Sequence, residues 1–223
     1  RMKVVLALFS VVAVASAGES LSDLAQGMFS NMTLTKFNAL KQLFNKFSEC
    51  APSAVSTLVN GLTADQTDQV ISLHNLVLNN ASLVPHSRAE ALALAKANLD
   101  PEVYEQLVAL NTDYEQRVAK LNAAANGDVS NLESAIFKVL ADKTQTSAVD
   151  LSVNVCNAYG NLTATDKDSL TDAFPEALGC MSQTFYSRGC DVAKALQAND
   201  YNYQSTAVID AFGQLGRDPK FSS

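Results

Sequence analysis

Tryptophan is absent, histidine occurs twice, and only nine glycines and five prolines interrupt 223 residues. Each scarcity removes a class of structure or chemistry. An all-β sandwich or barrel needs a turn about every 8–12 residues and the glycine and proline that make turns. This chain lacks them and suits long helices with short connections. Two histidines, His74 and His86, leave little for His-rich zinc sites or for acid–base work near neutral pH. No CxxC pair and no GxSxG, HExxH, P-loop or GxGxxG motif occurs. Basic clusters are missing too: 16 Lys and Arg face 23 Asp and Glu, for a formal charge of −7. Nucleic acid is therefore a poor partner, and so is an anionic membrane surface. The acidic pairs Asp65/Asp68 and Asp166/Asp168 sit at helix starts, where the helix dipole accounts for them. Residues 166–172 lack the glycine of an EF-hand loop. No catalytic constellation, metal site or cofactor is expected, and hence no enzyme.

What the chain does have is apolar residues, 48% of the total against 17% charged. Arg1 and Lys3, the largely apolar run Val4–Val14 and Ala15-Ser16-Ala17 together read as a signal peptide over 1–17. The run is shorter than the roughly 20 residues a membrane span needs. Its removal takes away two positive charges, so the charge moves from −7 to −9. Residues 18–223 should then form one all-helical domain, secreted and extracellular, with no stable membrane insertion. Two features fit export. Asn31-Met32-Thr33, Asn80-Ala81-Ser82 and Asn161-Leu162-Thr163 match the N-glycosylation acceptor. Four cysteines, Cys50, Cys156, Cys180 and Cys190, suggest two disulfides with three possible connectivities. Cys50–Cys156 with Cys180–Cys190 is the preferred pairing, because the second pair closes a short loop through Gly189.

Helical spacing dominates the pattern. Phe37, Leu40, Phe44 and Phe47 share one face of a segment from 35 to 48. Pro52 to Gly61 forms a shorter helix. Thr63 with Gln66 is a capping box opening a helix to about Asn79, with Val70, Leu73, His74 and Val77 on one face. Residues 79–85 form a loop, and Ser87 with Glu90 opens a helix over 89–97. Asp100-Pro101-Glu102 opens the longest helix, expected over 101–125 and ended by Gly127, with the stripe Val103, Leu107, Leu110, Tyr114, Val118, Leu121. Ser130 and Glu133 begin the next helix, expected over 131–142. Residues 147–159 fit a strand or a helix. A lone strand has no partner, so helix is preferred, with Gly160 as its stop. Thr163 with Asp166 opens a helix ending near Phe174-Pro175. Further helices are expected at 176–187, 190–199 and 205–213, before a loose tail from Gly216. Leu62-Thr63-Ala64 returns as Leu162-Thr163-Ala164, 100 positions on.

Three stretches in order resemble the nematode fatty-acid- and retinol-binding proteins. Leu62-Thr63-Ala64-Asp65 is similar to that family's first helix opening. Ala91-Leu92-Ala93-Leu94-Ala95-Lys96 followed by Asp100-Pro101-Glu102-Val103-Tyr104-Glu105 resembles its Ala-Leu-rich helix and the start behind it. Tyr159, Leu162-Thr163, Asp166, Lys167, Leu170 and Phe174-Pro175 resemble its late motif. The resemblance covers about residues 55–185 and departs in having four cysteines and fewer Lys and Glu. It implies a secreted, all-α carrier of fatty acid or retinol, with an internal apolar cavity, no metal and no catalysis.

On that reading the cavity lies among the helices at 64–79, 101–125, 131–142 and 164–174. Leu73, Val77, Leu107, Tyr114, Ile136, Val139 and Phe174 would line it, and Arg117 or Lys138 would stand at its mouth. A rival comes from Asn79-Asn80-Ala81-Ser82-Leu83 and Asp142-Lys143-Thr144-Gln145-Thr146, which resemble the SXP/RAL-2-like secreted antigens. That resemblance implies a helical interaction protein with a solid core and no lipid.

Overall fold

The structure, a computed structural model, describes residues 31–46, 48, 51–142, 145–176, 190–191, 193–195 and 197–198. The expected signal peptide, Cys50, Cys180, the helix proposed over 205–213 and the tail from Gly216 lie outside these residues, as does nearly all of the helix proposed over 176–187. All regular structure among the described residues is helical. In chain order the helices are α1 Leu34–Lys46, α2 Ser53–Gly61, α3 Ala64–Asn79, α4 Arg88–Asn98, α5 Pro101–Val118, α6 Ala123–Asp142, α7 Gln145–Asn161 and α8 Ala164–Ala173. A 3₁₀ turn, Ala81–Leu83, sits in the α3–α4 connection.

The helix starts follow from local capping. Thr63 Oγ1 accepts from the Gln66 amide at 3.2 Å, and Gln66 Oε1 accepts from the Thr63 amide at 3.0 Å. Thr163 and Asp166 build the same reciprocal box on α8, so the echo across 100 residues is one capping device used twice. On α4, Ser87 Oγ accepts from the Glu90 amide, but Glu90 reaches back to the His86 amide instead of closing the box on Ser87. Asp100 caps α5 through the Glu102 amide at 2.9 Å, with Pro101 in the first turn, where its missing N–H costs nothing.

The helix expected over 101–125 is two helices. α5 stops at Val118, and Asn122 starts α6. Asn122 Oδ1 accepts from the Ala125 amide at 2.9 Å, its Nδ2 donates to Asp166 at 2.8 Å, and its own amide donates to Ser169 Oγ at 3.0 Å. One side chain thus caps α6 and anchors α8. Gly127, expected as a stop, lies inside α6, and so do Ser130 and Glu133, expected as a start. The stripe continued through the break because Leu121 stays buried in the turn. Residues 145–161 are helical, as preferred over a strand.

The disulfide pairing needs correction. Cys156 is bonded to Cys190, with Cα atoms 5.6 Å apart, so neither Cys50–Cys156 nor Cys180–Cys190 forms. The expectation favoured a short loop, whereas helix packing decides. Helical residues 190–191 and 193–195 lie along α7, with Val153, Cys190 and Ala193 buried, and Gln197 donates to Asp150 at 2.8 Å. Cys156 opposite Cys190 and Asp150 opposite Gln197 make this packing antiparallel.

Two apolar clusters carry the described core. Phe44, Ala51, Val55, Leu58, Val103 and Leu110 join α1, α2 and α5, with Leu107 packed against them. Leu121, Ala125 and Ala173 join the α5–α6 turn to α8, with Val118, Leu170 and Phe174 around them. Burying each large aliphatic side chain contributes roughly 1.5–3 kcal/mol. α6 also packs against α7, and α4 against both α3 and α5.

Candidate ligand-binding site

Tyr114 stands between the two clusters. It lies one helical turn beyond Leu110 of the first, and its ring centroid is 6.0 Å from that of Phe174 at the second. Only 5% of Tyr114 is exposed. Burial pushes its phenol up to about 12, and the nearby Glu133 carboxylate adds to the shift, against Arg88.

Arg88, the first residue of α4, closes over this ring, with its guanidinium carbon 4.9 Å from the centroid. Its Nε donates to Glu133 at 2.6 Å, and its Nη1 donates to Glu115 at 3.1 Å and to Asn111 at 3.0 Å. A cation on an aromatic face with two carboxylates in reach ties α4, α5 and α6 together.

A pocket of about 570 Å³ opens where the α4 start faces α6. That volume falls in the range of small-molecule sites. Among the described residues its lining is mixed: Ser87, Ser130, Ser134, His86, Glu133 and Lys138 carry polar groups and Phe137 is apolar, while the carbon atoms of these side chains make the lining slightly more apolar than polar. Phe137 is buried, while His86 and Lys138 are exposed at the rim. Glu133 belongs to both the pocket and the Arg88 cluster. Among the described residues no group of three His, Cys, Asp or Glu side chains could hold a metal.

The sequence model of the nematode fatty acid retinoid binding proteins matches residues 45–190, well over half of the chain. The chain belongs to that family. It is thus a member of a family of lipid-binding proteins, and the match spans α2 to α8 and both members of the disulfide. No curated protein and no solved structure gives a significant match. No described helix is long and apolar enough to cross a membrane.

The residues expected to form the site fall in different places. Tyr114 and Phe174 are brought together at the junction of the clusters. Arg117 reaches the same corner: its Nη1 donates to the Ala173 carbonyl and to Glu176 at 2.8 Å, its Nη2 donates to Glu176 at 3.1 Å, and its Nε bonds Asp113. Its charge is therefore committed to two carboxylates. Lys138 lines the pocket. Leu107 packs on the first apolar cluster, and Leu73 and Val77 are half-buried on α3; none of the three lines the pocket. Ile136 and Val139 flank Phe137 and Lys138 on α6, but their side chains lie outside the described part. His86, Arg88, Ser134 and Phe137 were not singled out in the sequence. Ser87, Ser130 and Glu133 read there only as helix-start signals.

All three sequon asparagines are exposed. Asn31 Oδ1 accepts from Asn79 at 3.0 Å, and Asn80 Oδ1 accepts from the Ser82 hydroxyl at 2.7 Å.

Proposed function

We propose that this chain is a secreted, non-catalytic carrier of long-chain fatty acids and retinoids, glycosylated at one or more of Asn31, Asn80 and Asn161. The family match over residues 45–190 carries the reading. The tail would run through apolar space lined by Leu73, Val77, Leu107, Tyr114, Ile136, Val139 and Phe174. Buried chain would supply most of the affinity, at about 0.8 kcal/mol per methylene. The pocket beside Tyr114 would receive the other end of the ligand, since six of its seven described lining residues carry a polar group that can bond a headgroup.

Titration of the oxidised protein with a fluorescent fatty acid tests the reading. A saturable blue shift that oleate or retinol reverses is expected. Organic extraction of protein from a eukaryotic host, followed by mass spectrometry, should recover co-purified lipid. A helical antigen with a solid core would give neither result, and that outcome would overturn the proposal.

A further inference from the structure

We infer that the pocket between the start of α4 and α6 is a headgroup site that prefers a neutral hydroxyl to a carboxylate, with Glu133 as the acceptor that makes the distinction. The inference rests on the carrier reading and concerns which lipids this chain favours.

Six of the seven described residues that line the pocket carry a group that hydrogen-bonds. The one carboxylate among those residues, Glu133, has 27% of its side chain exposed and is oriented by a 2.6 Å bond from Arg88. A carboxylate has about four acceptor positions on its two oxygens. Arg88 Nε donates to Oε1 and the Tyr114 hydroxyl also hydrogen-bonds this carboxylate, which leaves about two acceptor positions for the pocket. The Arg88 charge is shared with Glu115, so one guanidinium faces two carboxylates and the cluster has a net negative charge.

An alcohol suits such a lining. It donates its proton to Glu133 and accepts from a serine hydroxyl or from His86. An ionised fatty acid has no proton to donate and brings a second negative charge beside Glu133. Like charges brought together in a partly desolvated site disfavour binding. Lys138 is the only cation among the described residues that line the pocket, and it is exposed. A lysine in high dielectric offsets little of that repulsion.

The test compares ligands with the same tail and different heads. Oleyl alcohol and oleate, then retinol and retinoic acid, compete against a fluorescent fatty acid bound to the full oxidised chain at neutral pH. The alcohol of each pair should compete at least about fivefold better than its acid, which corresponds to about 1 kcal/mol. Glu133→Gln should shrink that ratio to under about twofold, since an amide neither repels the acid nor accepts as strongly. Glu133 also holds Arg88, so a second variant guards against misfolding. Ser134→Lys, at an exposed lining position, should move the ratio toward the acid by a few-fold. Acids competing as well as alcohols with the parent protein would overturn the headgroup assignment while leaving the carrier reading intact. A ratio that neither variant changes would overturn it as well. A probe that never binds would sink the carrier reading and this inference with it.

Discussion

Replacing Arg117 by alanine should destabilise the protein by loosening α8 from α5. The side chain is 18% exposed, and it bonds Glu176, 29% exposed, and Asp113, 43% exposed. Its bidentate bonds to Glu176 and its contact with the Ala173 carbonyl hold the end of α8 against α5. An exposed pair is worth about 0–1 kcal/mol, while breaking a buried pair costs about 3–5 kcal/mol. This cluster lies between those limits, and the exposure of Asp113 discounts one of its two arms. We expect a loss of about 2 kcal/mol, or a fall of roughly 4–8 °C in Tm for a chain of this size. Thermal and urea unfolding followed by far-UV circular dichroism would measure it. A cycle with Glu176→Gln isolates the pair and should give a coupling of about 1 kcal/mol. Since the guanidinium is already committed, oleate affinity well below Tm should change less than about threefold. An Arg117→Ala loss under about 0.5 kcal/mol, or no coupling to Glu176, would refute the clamp. A collapse of oleate binding in a folded variant would instead return Arg117 to the cavity mouth.

Two further perturbations test other parts of the structure. Tyr114 ionises at about 12 rather than near 10, because burial opposes the phenolate; its folded pKa is raised, so the stability it contributes is present below pH ~10 and lost as pH rises toward 12. Ultraviolet titration should show a late tyrosine component that disappears in Tyr114→Phe, and no difference between parent and variant would contradict the burial. Peptide mapping without reduction should find Cys156 joined to Cys190, which leaves Cys50 only Cys180 as a partner. Converting Cys156 and Cys190 to serine should cost about 3–4 kcal/mol, from the chain entropy of closing a loop across a separation of 34 residues.

The helical class was legible because apolar spacing and capping act within one turn. Thr63 with Gln66 and Thr163 with Asp166 form boxes that need no distant partner, and the structure places α3 and α8 behind them. The break at 119–122 was not legible for the opposite reason. Nothing local distinguishes Asn122 from any other asparagine in a helical stripe. It becomes a cap because Asp166 and Ser169, more than 40 positions away, satisfy the rest of its polar groups. The Cys156–Cys190 bond is decided in the same way, by the packing of Cys190, Ala193 and Gln197 along α7. Short sequence separation is a poor guide to pairing when helix packing brings distant cysteines together.

The site divides along the same line. Apolar periodicity marks inward positions, and Tyr114 of the α5 stripe is buried with its ring 6.0 Å from that of Phe174. Periodicity says nothing about polar groups that converge from separate helices. Arg88 opens α4, Glu115 lies on α5 and Glu133 on α6, and in the sequence each reads as ordinary helical charge. Only the packing of the three helices turns them into one cluster around a buried phenol. The same packing explains why Arg117 and Lys138, which looked alike in the sequence, part company. Arg117 sits where the end of α8 supplies carboxylate and carbonyl acceptors, so its charge is consumed in holding helices together. Lys138 sits on the open side of α6, where its ammonium remains available to the pocket. A cation beside an apolar stripe therefore carries two meanings, and the nearest helix end decides between them.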